Sequence, residues 1–195
     1  MFGPIAETIS TPRLVLEPLA VHHAAEMAPV LDDPRLHRYI GGEPLTGEEL
    51  RARYEHLVAG PAPFHQEGWL NWVVRRVRDG QAVGYVQATV TPARPGYTVA
   101  APADGSTVTP SAARNAASVA WVIGMPYQGF GFATEAARAL VGWLLAHGAA
   151  EIVASIHPDN AASAAVAARL GLRPTAETDE DEIVWRLPYG VPPRG

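Results

Sequence analysis

The chain has 195 residues, 48% of them hydrophobic and none of them cysteine. That length and apolar content suit a single domain spanning residues 1–195, and the missing cysteine excludes a disulfide framework, a thiolate zinc site and covalent cysteine catalysis. Twenty acidic against fifteen basic side chains give a net charge of -5, which argues against nucleic acid or an anionic membrane surface as the main partner and suits an amine-bearing one. The start "MFGPIAETISTPRL" has no basic segment followed by an apolar run, and no apolar stretch reaches the ~18 residues of a membrane span, so a cytoplasmic protein is expected.

"TPRLVLEPL" at 11–19 reads as a strand, followed by a short helical patch from Val21 to Pro29. Thr46 and Glu49 have capping-box spacing, and Leu50, Tyr54, Leu57 and Val58 follow on one face, which predicts a helix over 47–59 stopped at Gly60. "WLNWVVRRV" and "QAVGYVQATV" are rich in β-branched and aromatic residues and read as a hairpin turned near Asp79-Gly80. Residues 92–116, dominated by Ala, Pro, Gly, Ser and Thr, read as a long mobile loop. A strand "ASVAWVIG" then leads through a Gly-rich turn into a helical stripe of Ala133, Ala136, Ala137, Leu140, Val141, Leu144 and Leu145, ending at Gly148. A strand "EIVASI", an Ala-rich helix from about Asp159 to Leu170 and one or two last strands including "EIVWRL" complete the chain. The order predicts a mixed α/β sheet in which the strand-helix-strand unit at 117–156 is parallel and right-handed.

The turn holds Gly129, Gly131 and Ala133 where a helix begins. A helix start offers unpaired N–H groups and the positive end of the macrodipole, and glycine lets a phosphate approach the backbone. Spacing alone leaves this reading level with a plain strand-to-helix turn. A Walker loop would need a lysine where the stretch reads "GFAT", and a dinucleotide fingerprint would need glycine at Thr134 and an acidic residue near Ser155 to His157.

Gln128-Gly129-Phe130-Gly131-Phe132-Ala133 resembles the Gln/Arg-x-x-Gly-x-Gly/Ala acyl-CoA loop of the GNAT superfamily of N-acetyltransferases, and "YQGFGFATEA" looks most like the branch with the ribosomal-protein-alanine acetyltransferases. "TPRLVLEPL", "DGQAVGYV" and "HPDNAASAAVAARLGLRP" extend the resemblance over most of the chain. It implies a mostly antiparallel sheet of roughly six to seven strands flanked by about four helices, with a splayed parallel pair forming the acyl-CoA cleft. It also implies that the backbone of residues 128–133 holds the pyrophosphate of acetyl-CoA, that pantetheine bonds the backbone near Ile123, and that Asn160 bonds the pantetheine arm. Asn160 also reads as a helix cap.

Acetyl transfer to an amine needs a neutral amine, a stabilised oxyanion and a proton for the departing thiolate. The helix after Asn160 has no tyrosine for the last task, and in this branch the resemblance gives it to Ser163, otherwise a filler in an Ala-rich helix. The glutamate usual on the strand before the loop is matched by Ser118, which cannot act as a base at neutral pH. His157 is the substitute considered, set against a loop histidine beside Pro158. Glu135 reads as a surface residue complementing the helix dipole. His22 and His23 are expected to point in different directions without a carboxylate partner, so no metal is expected. The acceptor is expected between the first helical region and the hairpin strands, with 35–44, Trp69 and Trp72 as lining, although the odd separation of the tryptophans puts them on opposite faces. The run "ETDEDE" at 177–182 reads as a hairpin turn or an attractor for a cationic acceptor. The leading expectation is an acetyl-CoA-dependent N-acetyltransferase, monomer or homodimer, acting on a protein N-terminus or a small amine. A non-catalytic acyl-CoA-binding domain is the rival, favoured by Ser118.

Overall fold

Period-two alternation builds a sheet here, and helical stripes cover both of its faces. The computed structural model of the chain describes residues 2–62, 64–93 and 115–188. The first half contains β1 (Ile9–Ser10), β2 (Leu14–Pro18), a 3-10 turn at Val21–His23, α1 (Ala24–Leu31), α2 (Pro34–Ile40) and α3 (Gly47–Ala59). The hairpin β3 (Gly68–Arg76) and β4 (Ala82–Pro92) follows, then β5 (Asn115–Ile123) and α4 (Phe132–Ala146). The remainder is β6 (Ala149–Ile156), α5 (Ala161–Leu170), β7 (Arg173–Asp179) and β8 (Glu182–Arg186).

Among the described residues these strands form one eight-stranded sheet in the order β1-β2-β3-β4-β5-β6-β8-β7. Every neighbouring pair is antiparallel except β5 and β6, as the crossover through α4 requires. The parallel ladder stops at Ser118 opposite Val153. The last residues of β5 thus part company with β6, whose other edge pairs with β8 from Val153 opposite Arg186 to Ile156 opposite Ile183.

One face of the sheet packs on α4 and α5 through Leu14, Leu16, Trp72, Val86, Leu140, Leu144 and Leu170. The other packs Val73 and Ala82 against Met27, Val30, Leu50 and Tyr54 of α1 and α3. Thr46 and Glu49 make the expected reciprocal cap, and Gly60 ends α3, but Val58 is exposed. No helix of the described residues is long and apolar enough to cross a membrane.

The sheet has more strands, and its flanks more helices, than expected. The two-residue β1 is too short to carry a period, and α2 offers a single fully buried side chain, Leu36. Its start is nonetheless written in Asp33, whose carboxylate accepts from Arg35 N, and in Pro34 at the first helical position. Most of the expected mobile loop lies outside the described residues, at 94–114. Pro92 closes β4 and Asn115 opens β5.

Candidate active site

Beyond the point where β5 leaves β6, the chain makes a 3-10 turn at Met125–Tyr127 and then enters the glycine-rich stretch. Gly129 and Gly131 have φ of 81° and 80°, a conformation that costs an L side chain about 1–2 kcal/mol. A Cβ at Gly129 would meet nothing within 4 Å, so the space in front of this backbone is open. The first intrahelical bond of α4 runs from Glu135 N to Gly131 O. The N–H groups of Phe132, Ala133 and Thr134 therefore have no partner within the helix and face the dipole's positive end. Gln128 differs from expectation: its N–H already reaches Met125 O at 3.3 Å, and its side chain donates to Ile123 O at 2.9 Å. It ties the turn to β5, and the donors available to a phosphate are those of residues 129–134.

A clasp from the chain's start holds this turn. Glu135 Oε1 accepts from Thr11 Oγ1 at 2.6 Å and from Arg13 N at 3.0 Å, and Oε2 lies 2.6 Å from Arg13 Nη2. Arg13 also donates to Phe130 O at 3.0 Å and lies over the Phe132 ring. Glu135, expected as a surface residue, is a half-buried anchor. Burial alone would raise its pKa, but the hydrogen bonds from Thr11 and Arg13 more than offset this and leave it below the usual value.

The turn forms one wall of a cleft of about 1370 Å3. Trp121 to Ile123 floor it, and Asn160, Ser163 and Val166 of α5 close the far side. The cleft thus brings together Ile123, Gln128, Gly129, Phe130, Gly131, Phe132, Ala133, Asn160 and Ser163. Asn160 caps α5, its Oδ1 accepting from Ser163 N at 3.1 Å, which leaves its NH2 group for another partner. The Ser163 hydroxyl has no hydrogen-bond partner among the described residues. His157 does not line the cleft, and its Nδ1 accepts from Asp159 N at 3.1 Å. A neutral imidazole in that state carries its proton on Nε2 and has no free lone pair for a substrate. The structure therefore counts against His157 as the base.

Three charged groups near the cleft were not singled out by the sequence. Arg138 and Arg169 line the cleft, and neither has a carboxylate within ion-pair distance among the described residues. Arg169 stands in a helix with no acidic residue within four positions, a signal that sequence alone carries. The third is Glu182 at the start of β8, adjoining Ile183, which pairs with Ile156 at the end of β6. By strand alternation Glu182 shares a face with Val184 and its partner Ser155, and with Val153 and its partner Ser118. Burial pushes its carboxyl above the usual range, and the charge of Asp179 adds to this. The run 177–182 covers the end of β7, a two-residue turn at Glu180-Asp181 with Glu180 at φ 52°, and the start of β8.

Two expectations about aromatic and histidine side chains are corrected. Trp72 is core, fully buried, its Nε1 donating to Glu7 O and its ring meeting Trp143 edge-on, while Trp69 faces His56. Neither ring lines the large cleft, and Trp72 borders instead a smaller cavity between α2 and α3. His22 and His23 do converge, rings 4.1 Å apart, and their ligating atoms lie within 4.8 Å of those of Glu17. The buried His23 accepts from Ala20 N through Nδ1, so Nε2 holds the proton and faces Glu17, which is itself paired with Arg75. Two of the three groups are already engaged.

A model of the acetyltransferase (GNAT) domain matches residues 13–173. The chain belongs to the GNAT acetyltransferase family. Its reaction is acetyl transfer and its acyl donor acetyl-CoA, which the open glycine turn and two unpaired arginines fit. A solved acetyltransferase from Agrobacterium tumefaciens str. C58 is 25% identical, with a TM-score of 0.62 over 95% of this chain and 96% of that one. A GNAT-family acetyltransferase from Bacillus anthracis is 18% identical, with a TM-score of 0.64 over 92% and 94%. RimL, a ribosomal L7/L12 alpha-N-protein acetyltransferase in complex with coenzyme A, is 16% identical, with a TM-score of 0.61 over 92% and 97%. These likenesses show a shared fold with a GNAT sheet. No curated protein matches the chain by sequence.

Proposed function

We propose that the protein is an N-acetyltransferase that moves the acetyl group of acetyl-CoA to a primary amine by direct attack in a ternary complex. The observation that carries this reading is the unpartnered Ser163 hydroxyl in the same cleft as the glycine turn and the free amide of Asn160. The N–H groups of residues 129–134 hold the pyrophosphate, Arg138 and Arg169 neutralise phosphate charge, and the Asn160 NH2 group bonds the pantetheine arm. The edge of β5 that β6 leaves, where Ile123 O already accepts from Gln128, receives the rest of that arm.

An ammonium acceptor must lose a proton before its nitrogen can attack the thioester carbon. Glu182, outside the cleft lining but on the sheet face of Ser118, takes it through water, its carboxyl held above the usual range by burial and by Asp179. The carbon–sulfur bond then breaks, the Ser163 hydroxyl gives its proton to the thiolate, and the nitrogen's second proton, lost as the amide forms, restores the hydroxyl. Residues 1–195 are read as one catalytic domain because both cores of the described residues share one continuous sheet, and as a cytoplasmic monomer or homodimer as the sequence leads one to expect. The rival, a non-catalytic acyl-CoA-binding domain, rests on Ser118 in the place of an acid; the Asn160 and Ser163 pair in the cleft weighs against it.

The test follows thiol release from acetyl-CoA with a panel of primary amines, in the wild type and Ser163→Ala. The variant should lose about 10²–10⁴-fold in kcat while acetyl-CoA still raises its melting temperature. Binding of acetyl-CoA without turnover of any amine would favour the rival.

A further inference from the structure

A second cavity, of about 140 Å3, lies beneath the turn between α2 and α3. It sits on the sheet face that carries α1 and α3, the face of Ser118 and Glu182 rather than of α4 and α5. Leu31, Ile40, Leu45 and Leu57 make its apolar walls, and Tyr54 and Tyr85 bring hydroxyls to it. His37 fixes the roof, its ring nitrogens 3.2 and 3.1 Å from the carbonyl oxygens of Gly41 and Leu31. The rim carries one charge of each sign, Glu43 and Arg53.

Two features point to an occupant. The side chains of Tyr54, Tyr85, Asn71 and Gln87 all line the cavity region, and among the described residues none has a hydrogen-bond partner. None of these groups is among the buried polar atoms left without a partner, so each is open to exchange water for a ligand's polar atom. Burial also raises the pKa of both phenols, which keeps them neutral donors. The volume is close to that of an apolar protein cavity of about 150 Å3 that takes up benzene.

The cavity is also placed to serve the reaction. Ile40 lines both it and the large cleft. Tyr85 on its floor pairs with Val122, which floors the cleft, so one strand spacing of about 4.8 Å separates the two.

We propose that this cavity selects the acceptor: a primary amine carrying an uncharged, ring-sized apolar group, which seats there while the amine reaches the cleft past Ile40. An oxygen on the ring would accept from the Tyr54 and Tyr85 hydroxyls. The proposal rests on the acetyl-transfer reading above. The same chemistry is presented by a free arylalkylamine and by a peptide whose first residue is aromatic.

The test measures kcat/KM with ethylamine, phenethylamine, tyramine and short peptides beginning with Gly or Phe, alongside the melting-temperature shift caused by acetyl-CoA alone. Phenethylamine should exceed ethylamine at least about tenfold, since even one methylene in an apolar pocket is worth that order. Leu57→Trp, which fills the cavity, should flatten the preference and keep the acetyl-CoA shift. Tyr85→Phe should keep the ring preference and remove any advantage of tyramine. A Phe peptide that outruns phenethylamine would make a protein N-terminus the source, and the reverse a free amine; either supports the proposal. Equal kcat/KM across the amines, no turnover of the ring amines, or a preference that survives Leu57→Trp would overturn it. An absent acetyl-CoA shift would overturn the acetyl-transfer reading itself, and this proposal with it.

Discussion

Glu135 at the start of α4 and Glu182 at the start of β8 are both half-buried carboxylates, and burial raises the pKa of each. Their neighbours then drive them apart. Glu135 is met by Thr11 and Arg13, whose hydrogen bonds carry it below the ordinary value and turn it into a clamp on the cofactor turn. Glu182 is met by Asp179 and Glu180, with only a partial counterweight from His157, and stays above the ordinary value. The same side chain at similar burial thus shifts in opposite directions according to the sign of its company.

The largest expected effect comes from placing a carboxylate where neither solution is available. Gly131→Glu puts an anion at the helix start that holds phosphate, and acetyl-CoA should no longer raise the melting temperature of a protein that still folds. A Cβ there meets only Arg13 Nη2 at 3.5 Å, an ordinary contact, so the strain is that of a positive φ alone.

Glu182→Gln should lower kcat by about 10²-fold and remove the acidic limb of the kcat/KM profile against pH. Its stability effect has a definite sign. A carboxyl whose folded pKa is raised contributes stability below its unfolded value and loses it as pH rises through the folded one. Denaturant unfolding at neutral pH should therefore show no loss, or a small gain. A clear loss would mean that Glu182 is a second clamp and not a base.

Glu135→Gln should do the reverse, with the smallest effect on kcat. Hydrogen bonds to a charged group are worth about 1.5–3 kcal/mol, and the half-exposed Arg13 favours the lower end. Its depressed folded pKa makes this stability present above the unfolded carboxyl value and lost as pH falls through the folded one. Wild type and variant should accordingly converge in stability under acid conditions. Parallel melting curves down to acid pH would contradict the clamp.

The sides of the cleft were unequally legible. Residues 128–135 form one contiguous run, and Asn160 and Ser163 sit at one helix cap, so a resemblance carried by local motifs could mark them where spacing alone left the turn undecided. The stripe from Ala136 to Leu144 and the cap at Thr46 likewise appear in the structure where the period places them. Glu182 was hidden because its place depends on β8 crossing past α5 to pair Ile183 with Ile156. The clasp of Glu135 by Thr11 and Arg13 spans more than a hundred positions, and no local rule couples them. His157 misled for a local reason: Asp159 N takes the nitrogen that a base would use.

The most direct test of the account is a crystal structure with acetyl-CoA bound. The account predicts pyrophosphate oxygens on the N–H groups of residues 129–134 and the thioester sulfur within hydrogen-bond reach of Ser163 Oγ. Phosphates seated away from that turn, or a sulfur remote from Ser163 with the cleft filled, would contradict it.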